Sequence, residues 1–138
     1  MTLNPDVING RCKEIEISLA RLESVKARGR EIFLSDANLQ DVACYRLLIA
    51  IEAALHLCYH VAAKRLKQVP GEYAECFEIL GNGGVIPAEL AGRLKKMAQF
   101  RNLLIPMYWK TDFEKVFGIL ENDLGDLREF SRIVASMA

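Results

Sequence analysis

The sequence predicts an all-α protein, a single up-and-down helical bundle of about five helices, on three observations. Apolar residues recur at three- and four-residue spacing almost throughout. Strand-like alternation is hard to find, and helix-start residues stand ahead of the apolar runs. A chain of 138 residues suits one domain, 1–138, with a real core.

The elements follow in order. Asn4 and Pro5 read as an N-cap and first helical residue. Ile8, Cys12, Ile15, Leu19 and Leu22 then form one stripe, which should fade near Gly29. Ser35 or Asp36 can cap a second helix running to about Leu66. That helix is apolar nearly all round between Val42 and Ala63, which predicts a central position in the bundle. Val69-Pro70-Gly71 ends it. A short helix from about Glu72 to Leu80 carries Tyr73, Phe77 and Leu80 on one side. Gly81-Asn82-Gly83-Gly84 predicts a loop. Pro87 opens a fourth helix with Leu90, Leu94 and Met97 inward. Thr111-Asp112-Phe113-Glu114 has the pattern of a capping box. The last helix places Phe113, Phe117, Leu120, Leu124, Leu127 and Val134 toward the core.

Lys plus Arg and Asp plus Glu number 18 each, so net charge alone argues for no acidic partner. Their distribution says more. Between Leu90 and Thr111 there is no acid, while Arg93, Lys95, Lys96, Arg101 and Lys110 all fall there. Such a run suits either a phosphate-bearing partner or an ordinary solvated face. The four cysteines, Cys12, Cys44, Cys58 and Cys76, are widely spread and fit small buried hydrophobes better than zinc or redox pairs. Asn4, Asp6, Arg11 and Lys13 interrupt any apolar run near the start, so no signal peptide is expected there, and Arg46, Glu52, His56 and His60 argue against a membrane span in the longest apolar stretch. The expectation is a reduced, cytoplasmic protein that engages no membrane.

Two departures from the apolar pattern mark candidate functional residues. Continuing the stripe from Leu90, Leu94 and Met97 lands on Arg101. A guanidinium cannot shed its proton, so it needs a carboxylate or phosphate partner, unless it reaches outward to water. Glu52, inside the apolar second helix, is the internal partner that fits. Glu52, His56 and His60 stand four residues apart on one helix face. This is not the zinc-protease arrangement, which sets Glu directly beside the first His, and no further ligand is visible. Hydrogen-bonded core or groove histidines fit better than a metal site.

The segment Phe100-Arg101-Asn102-Leu103-Leu104-Ile105-Pro106-Met107-Tyr108-Trp109 resembles the signature of HepT-like toxins of the HEPN superfamily. That signature is Arg-Asn, apolar residues, then His, one spacer and Tyr. His60-Val61-Ala62-Ala63, Pro70, Tyr73, Phe77-Glu78-Ile79-Leu80, the Gly-rich loop and Asp126-Leu127-Arg128-Glu129-Phe130 extend the resemblance over essentially the whole chain. It implies a homodimer whose paired motifs form an RNA-cleaving cleft without metal or other cofactor. Arg101 would then stabilise charge on phosphorus, Asn102 would orient it or the substrate, and Glu52 would be the acidic residue facing the motif. Lys95, Lys96 and Lys110 would contact the RNA. The resemblance also implies a minimal nucleotidyltransferase antitoxin as partner, adenylylating Tyr108; packing at a helix end is the plainer role for that side chain.

At one position the chain departs from this pattern. The fifth residue after Arg101 is Pro106, where the signature has His. Proline can neither take nor give a proton, and within a helix it costs about 3 kcal/mol. Loss of a general acid or base slows a reaction by roughly 10²–10⁴-fold. The sequence therefore predicts an impaired ribonuclease, or alternatively an inactive module that binds its antitoxin or RNA without cleavage.

Overall fold

The computed structural model describes residues 2–104 and 111–138, and among these it is all-α. Seven helices follow in order: α1 (Pro5–Ala27), α2 (Arg30–Ser35), α3 (Ala37–Arg65), α4 (Tyr73–Asn82), α5 (Ala88–Leu104), α6 (Phe113–Asn122) and α7 (Leu124–Ala135). The sequence predicts about five; the two additions are the short α2, between the first two expected helices, and the division of the last expected helix into α6 and α7.

Helix α1 starts as expected. The Asp6 amide donates to Asn4 Oδ1 at 3.0 Å, with Pro5 in the first turn. All five stripe residues from Ile8 to Leu22 are buried. Gly29 has φ +92°, a backbone conformation that favours glycine, and it turns the chain into α2. That short helix buries Phe33 against the rings of Phe113 and Phe117.

Asp36, rather than Ser35, caps α3 by accepting from the Leu39 amide at 3.1 Å. Helix α3 is long and apolar enough to cross a membrane by length and composition, but 56% of its most apolar window is buried within the bundle. It packs on α1 along its length and touches α4, α5, α6 and α7 as well, the central position its composition predicts.

Three local expectations are corrected. Gly81 and Asn82 belong to α4 rather than to a loop. A Cβ on Gly81 would lie 2.8 Å from Ala91 Cβ, so glycine is there to let α4 and α5 approach closely. The chain turns instead at Gly83 and Gly84, the latter at φ +75°. Asp112, not Thr111, is the N-cap of α6, accepting from the Lys115 amide at 3.3 Å, and Glu114 pairs with Arg30. The last helix divides at Asp123, because Asn122 and Asp123 favour caps over helix interiors.

The cysteines are buried as expected, but not all are free. Cys58 of α3 and Cys76 of α4 are joined as a disulfide with Cα atoms 6.2 Å apart, while Cys12 and Cys44 are free. Burial among apolar neighbours pushes the Cys44 thiol up to about 11, with the Asp41 charge adding to it.

Candidate functional site

Leu90, Leu94 and Met97 lie buried along the inner face of α5, and Arg101 continues that face. Its side chain is only 15% exposed, and its Nε donates a hydrogen bond to Glu52 Oε1 in the middle of α3. Glu52 is 41% exposed, so the ion pair is covered on the arginine side and open on the carboxylate side. The Tyr73 ring, in the first turn of α4, lies 4.4 Å from the Arg101 guanidinium carbon. Tyr73 in turn sits 6.2 Å from the Tyr59 ring. Three helices thus converge on one permanent cation, held by a carboxylate and an aromatic face. Its two terminal nitrogens make no hydrogen bond among the described residues, and such a guanidinium fork is suited to an anion.

A groove of about 720 Å³ opens beside this pair. Its floor is α3, through Glu52, Leu55, His56, Tyr59 and His60; α1 forms one wall and Tyr73 of α4 the other. The regular four-residue spacing of Glu52, His56 and His60 is what turns all three toward it. The two histidines differ in their surroundings. His60 Nε2 accepts the backbone amide of Asn4 at 3.0 Å, and burial, aided by the Lys64 charge, lowers its pKa. His56 is exposed in the groove and has no hydrogen-bond partner among the described residues. Burial raises the Tyr59 phenol above its usual range, with Tyr73 and Glu75 contributing. No three His, Cys, Asp or Glu side chains gather around a point that could hold a metal ion among the described residues.

The cations of the acid-free run are mostly spoken for. Arg93 pairs with Asp126 at 2.9 Å and more loosely with Glu129, and the Asp126 hydrogen bond and charge raise its pKa. Lys95 pairs with Glu78. Lys96 has no acidic partner among the described residues and borders a groove of about 390 Å³ with Phe100 and Lys115.

With this geometry in place, known proteins can be set beside it. The family model described as Ribonuclease HepT-like matches residues 15–134. This chain belongs to the HepT-like family. Among curated relatives, the HepT-like chain is 24% identical over 129 residues to the mRNA nuclease HepT of Shewanella oneidensis, covering 94% of this chain and 96% of that one. Its fold matches that of the tri-AMPylated Shewanella oneidensis HEPN toxin, solved in complex with MNT antitoxin. The TM-score is 0.87, with 24% identity, over 95% of this chain and 98% of that one. It also matches YutE, a cytosolic protein of unknown function from Bacillus subtilis, with TM-score 0.84 at 18% identity, over 99% of this chain and 92% of that one.

Of the site residues expected from sequence, the HepT-like chain brings Arg101 and Glu52 together and leaves Asn102 exposed on α5. Pro106, Tyr108 and Lys110 lie outside the described residues. Sequence reasoning missed the part played by Tyr73, which it placed on one side of α4 with Phe77 and Leu80. Phe77 and Leu80 are buried, but Tyr73 is 48% exposed and packs on the arginine. Helical spacing gives no signal for that, because the contact is made across two helices distant in sequence.

Proposed function

We propose that this chain is the toxin subunit of a cytoplasmic toxin–antitoxin pair, a metal-independent endoribonuclease scaffold impaired because Pro106 occupies the catalytic histidine position. The observation that carries this reading is Arg101, a guanidinium held by Glu52 and Tyr73 on a helix face that is otherwise apolar. The family match over residues 15–134 and the mRNA nuclease among the relatives support it. Two copies form a homodimer, so that their Arg101 side chains meet across one cleft.

In that cleft a ribose 2′-hydroxyl attacks the neighbouring phosphorus, and a base must take its proton. Arg101 stabilises the added negative charge on the phosphoryl oxygens with its planar donors. Glu52 holds the guanidinium in place by its Nε, leaving the terminal nitrogens for the phosphate. Asn102 orients the substrate, and Lys95, Lys96 and Lys110 hold the RNA backbone through its charge. A minimal nucleotidyltransferase antitoxin silences the subunit by adenylylating Tyr108, seven residues beyond Arg101, placing a negative phosphodiester beside the cation. The AMPylated relative bound to MNT antitoxin supports this partner.

The test compares RNA cleavage by the chain and by its Pro106→His form. The substituted form should be faster by about 100-fold or more, and Arg101→Ala on that background should remove the gain. Equal, robust cleavage by both forms would show that the histidine position is irrelevant. Pro106 itself favours a second reading, an inactive module that binds the nucleotidyltransferase or RNA. Retained antitoxin binding without cleavage by either form would establish that reading.

A further inference from the structure

We propose that His56 performs the proton transfer that Pro106 cannot, so that the residual RNA cleavage of this chain depends on His56 together with Arg101. The inference rests on the ribonuclease reading above and adds a residue to it. Glu52, which fixes Arg101, is followed one helical turn later by His56 on the same face of α3. Side chains so spaced have Cβ atoms about 5–6 Å apart. His56 therefore stands one helical turn from the carboxylate that holds Arg101, on the groove that opens beside the pair, where a bound nucleotide would bridge the guanidinium and the imidazole.

The groove is built for that task. Tyr73 and Tyr59 offer aromatic faces on which a nucleobase can stack, beside the cation. Its acids are largely compensated: Glu52 by Arg101, and Glu14 by Arg11 at 2.9 Å. Of the two histidines, His60 has its Nε2 committed to the Asn4 amide, while His56 has no partner among the described residues and faces open space. Histidine is the side chain that ordinarily exchanges a proton near neutral pH.

The step balances as follows. The 2′-oxygen bonds to phosphorus as His56 takes its proton, and the P–O5′ bond breaks with its electron pair going to O5′. Water protonates that oxygen, and the hydroxide formed is neutralised by the proton on the imidazolium, restoring His56. The products are a 2′,3′-cyclic phosphate and a 5′-hydroxyl end.

The experiment follows cleavage of a single-stranded RNA of mixed sequence by the unaltered chain, His56→Ala, His56→Gln and Pro106→His. Both His56 variants should lose about 10-fold or more in rate while keeping native helicity. Added imidazole should restore part of the loss in His56→Ala, which a merely structural role would not permit. Unchanged cleavage by the His56 variants, or a loss that imidazole does not relieve, overturns the proposal. If Pro106→His cleaves and the unaltered chain does not, the His56 proposal falls while the ribonuclease reading stands. If neither cleaves, the ribonuclease reading falls, and the role of His56 with it.

Discussion

Arg101 and Glu52 are 49 positions apart in the chain, yet the Nε of one donates to the carboxylate of the other between α5 and α3. The arginine is largely covered and the glutamate half-exposed, so the pair is neither a fully buried ion pair nor a surface one. That intermediate setting keeps desolvation modest while fixing the direction in which the guanidinium points.

A double-mutant cycle should therefore return a moderate coupling. Glu52→Ala and Arg101→Ala, made singly and together and followed by urea unfolding, should show an interaction of about 1 kcal/mol. Strict additivity would mean that the pair contributes nothing to holding α3 against α5.

The contact between Gly81 and Ala91 makes a second prediction. Gly81→Ala gains about 1 kcal/mol in helix propensity, but its new methyl meets Ala91 at 2.8 Å, and overpacking costs about 1–3 kcal/mol. A net loss of about 1 kcal/mol is expected in chemical denaturation. Combining it with Ala91→Gly should relieve the clash, so that the pair is less damaging than the sum of the single changes.

The pH dependence of stability follows from His60. Its pKa in the folded chain lies below the ordinary 6.5, chiefly through burial, so the unfolded chain binds the extra proton first. This contribution is fully present above 6.5 and is lost as pH falls from there through the lowered folded value. Protonation also removes the acceptor used by the Asn4 amide. The urea midpoint should drop across that window, and His60→Gln, which can accept without titrating, should flatten the drop.

Ser18 offers a gain in stability. Its hydroxyl is fully buried on α1 and has no hydrogen-bond partner among the described residues. Ser18→Ala removes an unsatisfied polar group and should raise the unfolding free energy by about 1 kcal/mol. An unchanged or lower midpoint would indicate that the hydroxyl is satisfied in solution.

Much of the fold was legible in the residue order, because burial on a helix repeats every three to four positions. The stripe from Ile8 to Leu22 and the inner face of Leu90, Leu94 and Met97 are buried as the spacing requires. Breaks were harder to place. The end of the first helix near Gly29 was legible, but the short helix α2 that follows it and the division of the last helix at Asp123 were not, because the apolar spacing runs on past Asp123. Gly81 has the composition of a turn, and only the closeness of Ala91 explains a glycine inside α4.

The candidate site divides in the same way. By itself, the sequence determined that Arg101 occupies an inward position and that Glu52, His56 and His60 share a face, since both follow from helical geometry along one segment. The sequence also offered Glu52 as the internal partner of that arginine; only the tertiary structure decided that the two meet, that Tyr73 covers the guanidinium and that Cys58 meets Cys76. Those contacts join helices far apart in the chain, and how α3, α4 and α5 lie against one another is set by packing that no local pattern encodes.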